Sequence, residues 1–318
     1  MNSLAEPSEA WPDLAYGQWK NTYATLHLWI QIIGKVRLSL TPWLNHSWHV
    51  TLYVTARGLT TSPIPFGERI FQIDFDFIDH ALCFATSDGL QAQFPLRPQS
   101  VADFYSATLT TLENLGIEVK IDERANEIPE QIHFSTDHLH ASYDPDSAHR
   151  FWKILVQADR VLKLFRTGFI GKCSPVHFFW GSFDLAVTRF SGRRAPPHPG
   201  GVPHLADDVA REAYSHEVSS AGFWPGSSPI DYPAFYSYAY PEPAGFRTAS
   251  VRPDAAFYSD ELHEFLLPYE AVRGASSPDE ALLAFLQSTY EAAAKSGGWD
   301  RASLECSLGK IDVPRAIS

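Results

Sequence analysis

The run IGK occurs at residues 33–35 and again at residues 170–172, and each copy precedes a run typical of a β-strand. The strand-like runs are HVTLYVTAR at residues 49–57 and FDLAVTR at residues 183–189, and both are rich in β-branched and aromatic residues. Before each IGK the apolar residues recur at helical spacing. Because glycine and a basic residue are typical of helix C-termini, the pattern predicts a helix that ends at each glycine, with extended chain after it.

Two turn signatures follow in the same order. SDGL at residues 87–90 and SDEL at residues 259–262 each lie between strand-like segments, as in a β-hairpin. Each half then closes with apolar residues at helical spacing. The sequence therefore predicts an α+β fold of two pseudo-repeats, each built as helix, antiparallel strands and helix, packed together with a long insertion in the second repeat.

The predicted organisation has five segments, separated where polar and Pro-rich stretches interrupt the periodic patterns. The second repeat differs from the first in an insertion rich in Pro, Gly and His, and long irregular loops in compact domains tend to be functional. We therefore expect the insertion to cover a pocket between the repeats. The segments are an N-terminal tail (1–16), a first repeat (17–122), a linker (123–143), a second repeat (144–299) with its insertion (192–233), and a C-terminal tail (300–318).

The composition limits the classes of partner. The chain has 318 residues, 45% hydrophobic content and a net charge of −12. Nucleic-acid binding needs clustered Lys and Arg, so no nucleic-acid partner is expected. No apolar stretch reaches the roughly 18 residues that cross a bilayer, and three widely spaced cysteines are typical of a reducing compartment. We expect a cytoplasmic protein with no membrane partner.

Two histidines, His46 and His49, lie three residues apart at the start of the first strand-like run. With His177 of the second half, and with His216 or Glu217 to complete the set, they have the ligand types that bind zinc or iron. Residues three apart on a strand face opposite sides, so a turn is needed for both to reach one ion. The alternative is that these side chains form hydrogen bonds at strand ends.

Arginines follow the two central strand-like runs. Arg57 ends the first run, and Arg189 and Arg193 lie at the end of the second. If the repeats pack about a pseudo-twofold axis these arginines converge, and arginine is suited to bidentate recognition of carboxylate or phosphate groups. The alternative is that they form surface ion pairs with the many carboxylates of the chain.

The insertion also carries candidate acid/base groups. His216, next to Glu217, has the chemistry of a general base beside an aromatic wall, and His177 is the third candidate catalytic residue. The alternative is a rigid lid with surface histidines. The other side chains expected to contact a ligand, besides the arginines, are Trp180, His198, Trp224 and Tyr238.

Four long runs carry a resemblance to a known family. They are WHVTLYVTARGLTTSPIP at residues 48–65, SPVHFFWGSFDLAVTRFSGRRAPPHPGG at 174–201, REAYSHEVSSAGFWPG at 211–226 and FYSYAYPEPAGF at 235–246. They resemble an uncharacterised, largely bacterial family, a domain of unknown function of the DUF5996 type, over nearly the whole chain. The resemblance implies a single full-length unit of intracellular type, and it supplies no activity, cofactor or catalytic residue.

These observations lead to a functional hypothesis with two alternatives. We expect an enzyme that acts on a small anionic or aromatic molecule in a pocket of His, Arg and aromatic side chains between the repeats. Such an enzyme should bring acid/base groups together in a pocket. A non-catalytic ligand-binding protein should instead have a mostly apolar aromatic pocket. A protein-interaction scaffold should have a flat exposed apolar patch.

Overall fold

The computed structural model describes residues 10–130 and 132–315, and it confirms the α+β class. Residues 1–9, most of the predicted N-terminal tail, and residues 316–318 of the predicted C-terminal tail lie outside the described residues. No helix in the described part of the chain has the length and hydropathy needed to cross a membrane. The helices are α1 (Tyr16–Leu40), α2 (Val101–Asn114), α3 (Pro145–Thr167), α4 (Asp207–Ala213), α5 (Tyr269–Arg273), α6 (Pro278–Ser296) and α7 (Arg301–Leu304).

The strands of the described residues form two antiparallel sheets. They are β1 (Tyr53–Val54), β2 (Gly58–Thr60), β3 (Ile64–Phe66), β4 (Arg69–Asp76), β5 (Ala81–Thr86), β6 (Gln91–Pro95), β7 (His177–Phe179), β8 (Asp184–Arg194), β9 (His216–Trp224), β10 (Ala234–Tyr240), β11 (Phe257–Ser259) and β12 (Glu264–Pro268). The first sheet has the order β1-β2-β4-β5-β6, with β3 paired to part of β4. The second has the order β7-β8-β9-β10-β12-β11.

Several local predictions are confirmed. In β4 the buried side chains of Phe71, Ile73 and Phe75 alternate with more exposed polar ones, as expected for a strand with one face in the core. The two turn signatures connect β5 to β6 and β11 to β12. Helix α2 begins after Ser100, whose Oγ accepts a hydrogen bond from the Asp103 N–H at 3.0 Å. These elements follow rules that involve only neighbouring residues.

The prediction that the first helix ends at Gly34 is wrong. Helix α1 continues through Gly34 to Leu40, so no strand follows at that position. Gly34 lies against the indole ring of Trp180, and a Cβ at Gly34 would overlap that ring. The glycine is therefore a site of close packing between α1 and the second half of the chain, and it does not cap the helix.

The second IGK run also differs from its prediction. Helix α3 ends at Thr167, and Gly171 lies beyond the helix, where a Cβ would come within 2.5 Å of Leu304. The strand order differs too, because β4 pairs with the first strand of the following hairpin, whereas β10 pairs with the second. The predicted internal repeat is therefore not confirmed.

The segment 192–233 contains regular structure as well as loops. It includes α4 and β9, and β9 lies between β8 and β10 inside the second sheet. The strand predicted at residues 49–57 is shorter than expected, because only Tyr53–Val54 joins the first sheet. Leu52 instead pairs with Phe178 of β7, which joins the two halves of the chain.

The second sheet has one apolar face. Leu185, Val187, Phe223 and Phe235 are fully buried there, and α3 and α6 pack on this side. Each such side chain stabilises the fold by roughly 1.5–3 kcal/mol. Because side chains alternate along a strand, the residues between them face away from α3 and α6. That second face carries the candidate site.

Replacing Gly34 by Ala should lower the free energy of unfolding by about 1–3 kcal/mol, because the added Cβ overlaps the Trp180 ring in a packed interior. The matched control is Gly17→Ala in the first turn of the same helix, where a Cβ has nothing within 4 Å. Alanine there should be neutral or stabilising by up to about 1 kcal/mol. Urea denaturation measures both changes, and equal effects would contradict the packing role of Gly34.

Candidate functional site

The site lies on the face of the second sheet that points away from α3 and α6. Across β8, β9 and β10 the register pairs Thr188 with Ser220 and Ser220 with Tyr238. The pairing of β10 with β12 ends at Ser237 and Phe265, and Tyr238 and Glu264 are the next residues of the two strands. Directly paired residues of antiparallel strands share a face, so these polar side chains form one row across the sheet.

Two adjoining cavities lie against this face. The apolar cavity has a volume of about 450 Å³ and has mainly apolar walls, which include Leu38, Trp180 and Val209. The acidic cavity has a volume of about 950 Å³. The described carboxylate residues that line the acidic cavity are Glu127, Glu130, Asp137, Asp184 and Glu264. The residues shared by both walls are Glu127, Gly181, Ser182, Asp184, Tyr214, Tyr236 and Tyr238.

Asp184 lies at the centre of the shared wall, at the first residue of β8. Its side chain is buried, and its carboxylate accepts hydrogen bonds from the hydroxyls of Ser182 and Tyr236. Burial raises the pKa of Asp184, while the two hydrogen bonds oppose that rise. The carboxyl is therefore firmly held and has little freedom to move toward a ligand.

A glycine in β9 makes the contact between Tyr236 and Asp184 fit. Gly222 pairs with Tyr236 in the neighbouring strand. A Cβ at Gly222 would come within 2.6 Å of the Tyr236 hydroxyl and would also collide with the carbonyl oxygen of Leu185. Only glycine leaves room for the tyrosine ring to lie across β9 and reach Asp184 in β8.

Glu127 reaches the cavities from the linker between the halves. Its backbone has a positive φ of 63°, which is uncommon for a residue with a side chain. The segment is fixed by hydrogen bonds from the Asn126 N–H to Gln31 Oε1 at 2.7 Å and from the Glu127 N–H to the Pro203 carbonyl at 2.8 Å. These bonds direct the Glu127 side chain toward Gly181, where a Cβ would collide with the carboxyl.

Glu127 and Glu264 carry the perturbed carboxyl groups of the site. Among the described residues, none donates a hydrogen bond to either carboxyl. Burial, together with the charge of Asp184, raises the pKa of Glu127 to about 7 and the pKa of Glu264 to about 8. Both groups therefore exchange protons near neutral pH, which is typical of groups that act in catalysis or binding.

His27 of α1 fixes the loop beside the cavities. Its Nε2 donates to the carbonyl oxygens of Trp180 at 3.1 Å and Gly181 at 2.9 Å. Burial lowers the pKa of His27 to about 4, so the imidazole is neutral at neutral pH. His27 therefore positions the loop that precedes Asp184 and adds no positive charge to the site.

Comparison with known proteins gives a family and no activity. The model of a family of unknown function, DUF5996, matches residues 11–306. The chain belongs to this family. No curated protein and no solved structure matches the chain. Every cavity-lining residue named above lies inside the span of this DUF5996 match.

The structure brings part of the predicted site of this DUF5996 protein to the cavities. Trp180 and Tyr238 line the apolar cavity, and Trp224 and Tyr238 line the acidic cavity. The ring of His198 stacks on the ring of Tyr214, with centroids 4.7 Å apart, and His198 is not among the described lining residues. The aromatic part of the prediction therefore lies at the site.

The predicted catalytic residues lie elsewhere. His216 and Glu217 begin β9, and the Glu217 carboxylate forms an ion pair with Arg193 at 2.6 Å. His177 of β7 is fully buried, and neither of its ring nitrogens has a hydrogen-bond partner among the described residues. Burial lowers the pKa of His177 to about 3. None of the three lines either cavity, so their catalytic role stays a prediction.

The predicted anion-binding arginines do not converge at the cavities. Arg57 is half-exposed and pairs with Asp76 at 2.5 Å, and Arg193 pairs with Glu217. Arg189 is buried on the helical side of the sheet, where its guanidinium carbon lies 3.5 Å from the centre of the Phe165 ring. The surface ion pairs weighed as an alternative account for Arg57 and Arg193.

The predicted metal ligands have other partners. Lys172 Nζ donates to His46 Nε2 at 2.6 Å, and His46 Nδ1 is 2.8 Å from the Ala213 carbonyl oxygen. His49 Nδ1 accepts from the Leu44 N–H at 3.2 Å. In the part of the chain that the structure describes, no group of three or more His, Cys, Asp or Glu side chains is placed to hold a metal ion. The zinc or iron site predicted at His46 and His49 is therefore not assembled by these residues.

Sequence reasoning missed the three central carboxylates. Asp184 and Glu264 had a signal, because each is a lone acid near the start of a mostly apolar strand-like run, FDLAVTR and EFLLP. Tyr236 and Tyr238 alternate with smaller residues, which fits a half-buried strand with a polar face. Glu127 had no signal, because it is a single glutamate in a polar linker. Its position follows only from the folded linker.

Replacing Glu264 by Gln should reduce the pH dependence of stability. The pKa of Glu264 is raised from 4.5 to about 8 in the folded state, so between these values the folded state holds a proton that the unfolded state has lost. The stability of the native protein therefore falls as pH rises through this window. The glutamine side chain of Glu264→Gln does not titrate. The free energy of unfolding of this variant, relative to that of the native protein, should therefore rise by about 2–3 kcal/mol between about pH 5 and pH 8.

Chemical denaturation at about pH 5 and at about pH 8 measures this change in the free energy of unfolding. The matched control is Glu118→Gln, because Glu118 is exposed and the substitution makes the same chemical change at the surface. The control should track the native protein at both pH values. If the difference in the free energy of unfolding between Glu264→Gln and the native protein is the same at pH 5 and pH 8, the raised pKa of Glu264 is ruled out.

Proposed function

We propose that the protein is an enzyme that transfers protons to and from a small molecule bound in the acidic cavity, with Glu127 and Glu264 as the acid/base groups. The observation that carries this proposal is the pair of carboxyls that face the cavity with no hydrogen-bond donor among the described residues. A proton-transfer group works best when its pKa lies near the working pH. Glu127 and Glu264 meet that condition, because burial raises their pKa values to about 7 and about 8.

The neighbouring side chains suit a supporting role. The hydroxyls of Tyr214 and Tyr238 are hydrogen-bonded at 2.8 Å, and both residues lie in the wall shared by the cavities. Fixed hydroxyl donors stabilise charge that develops on a reacting oxygen. Asp184 is held in position by hydrogen bonds from Tyr236 and Ser182, so it is a fixed neighbour of the two glutamates that exchange protons.

The proposed substrate is small and partly apolar or aromatic. The apolar cavity, with walls such as Leu38, Trp180 and Val209, supports an apolar portion. The anionic substrate considered from the sequence is not retained, because Arg57, Arg189 and Arg193 lie away from the cavities and carboxylates line them. The cavities are lined by residues of both halves of the chain, which agrees with a pocket between them.

A non-catalytic ligand-binding protein is the second candidate. The observation that favours it is the apolar cavity, because carriers hold ligands mainly through apolar walls and few polar groups. The two candidates differ in what the glutamates do. In an enzyme they are required for turnover, whereas in a carrier they affect binding alone.

The raised pKa values can be measured directly by NMR on protein with isotope-labelled glutamate side chains. Two carboxyl signals should titrate with midpoints near 7 and near 8. Glu127→Gln and Glu264→Gln should each remove one of these signals, and Glu118→Gln should remove neither. If no glutamate signal titrates above pH 6, the proposed acid/base chemistry fails.

Turnover can be sought without a known substrate. The native protein is incubated with a mixed extract of cellular small molecules in heavy water, and mass spectrometry detects species that change or gain deuterium. Such species should appear with the native protein and decline by about 100-fold or more with Glu127→Gln or Glu264→Gln. Retained turnover in both variants would reject the assigned roles, and ligand binding without turnover would favour the carrier.

A further inference from the structure

The described lining of the acidic cavity carries many carboxylates and no basic side chain that balances them. Its described lining residues include five carboxylates, and they include no lysine or arginine. Lys35 faces the adjoining apolar cavity, where its Nζ bonds to Asn126 Oδ1 at 2.5 Å. Asp137 and Asp184 are buried and Glu127 and Glu264 are half-buried. The charged forms of such neighbouring carboxyls are unfavourable, and a bound cation would stabilise them.

The histidines of the acidic cavity do not supply that charge to the central carboxylates. His140 pairs with Asp137 at 2.7 Å, so it does not pair with the central carboxylates. His27 donates to backbone carbonyls, and burial lowers its pKa to about 4, so it is neutral. The remaining titratable residues of the described lining are Glu130, Tyr23, Tyr214, Tyr236 and Tyr238.

The Glu127 carboxyl has no hydrogen-bond donor among the described residues. The Glu127 side chain is half-buried and lies at the cavity wall. None of the described residues donates a hydrogen bond to it, and it points into the wall shared by both cavities. The Glu127 oxygens are not among the fully enclosed atoms that lack a partner in the described residues, so they are open to the cavity and can accept hydrogen bonds from a ligand that enters it.

The walls of the acidic cavity also suit an organic cation. The rings of Tyr236 and Tyr238 are nearly parallel, with centroids 6.1 Å apart, and Trp224 lines the same cavity. Ammonium groups are attracted to the faces of aromatic rings. A metal cation fits less well, because the described residues place no three ligands around a common point.

We propose that the site binds a primary ammonium carried on an apolar or aromatic body, with the ammonium among Glu127, Asp184 and Glu264 and the body in the apolar cavity. The inference rests on the proposed function, because it names the substrate class of the same site. The ammonium supplies three hydrogen-bond donors, and none of the described residues donates a hydrogen bond to Glu127 or Glu264. The apolar cavity provides a volume of about 450 Å³ for the body.

Calorimetric titration with matched probes tests this ligand class. The cationic probes are phenethylammonium and hexylammonium, the neutral probes are phenethyl alcohol and hexanol, and the anionic probe is phenylacetate. At least one ammonium should bind ten-fold or more tightly than its matching alcohol, and phenylacetate should bind most weakly. If neither ammonium is preferred over its alcohol, the proposal is overturned.

Variants and pH locate the binding. Glu127→Gln and Glu264→Gln should each weaken ammonium binding at least ten-fold and leave alcohol binding within about two-fold, while Glu118→Gln should change neither.

Because ammonium pairs with ionised carboxylates, ammonium binding should tighten from about pH 6 to pH 8. Binding should also release protons, which is seen as a dependence of the binding enthalpy on the buffer's ionisation enthalpy. Equal ammonium affinity in both cavity variants and the native protein would overturn the assignment. A single cooperative thermal unfolding transition confirms that the variants fold.

The two proposals can fail separately. If the glutamates titrate near 7 and 8 but no ammonium is preferred, the substrate class is wrong and the acid/base roles stand. If ammonium is preferred but no substrate turns over, the substrate class stands and the enzyme assignment fails. The NMR titration and the calorimetry therefore report on different claims.

Discussion

The packing of the Trp180 ring against Gly34 is the contact on which the site depends. It brings the loop before β8 to the surface of α1, where a side chain at position 34 would hold it away. The Trp180 indole N–H then donates to the Val50 carbonyl at 2.9 Å, and the next carbonyl, that of Gly181, accepts from His27 of the same helix. Because this loop leads directly into Asp184, the position of the central carboxylate is set by the fit of one tryptophan on one glycine.

The second sheet serves the fold with one face and the site with the other. On the helical side, Phe223 and Phe235 are fully buried, and burial of such side chains is the main source of stability. On the other side, Glu127 and Glu264 are held without donors among the described residues, which is unfavourable. A sheet that is well packed on one face can tolerate unfavourable groups on the other, and this division explains how a destabilising arrangement persists beside a large core.

The sequence is most informative where structure depends on neighbouring residues. The Ser100 cap, the alternation in β4 and both hairpins follow from local rules. It is least informative where a residue acts through a distant partner. Gly34 has the pattern of a helix cap, yet its role depends on Trp180, about 150 residues later. Glu127 belongs to no sequence pattern, since its position depends on the hydrogen bond from Asn126 to Gln31 and on its own backbone bond to Pro203.

The three central carboxylates differ in environment although their chemistry is alike. Burial raises the pKa of Asp184, and its two hydrogen bonds oppose that rise. Burial also raises the pKa values of Glu127 and Glu264, and the charge of Asp184 adds to that rise. Groups coupled in this way titrate as a set, so the state of one depends on the others. A cation that enters the site would favour the charged form of all three and would drive off the protons that the glutamates hold. Ligand binding and proton transfer are thus linked by the same electrostatic coupling, which is why an ammonium substrate and glutamate acid/base groups belong to one description of the site.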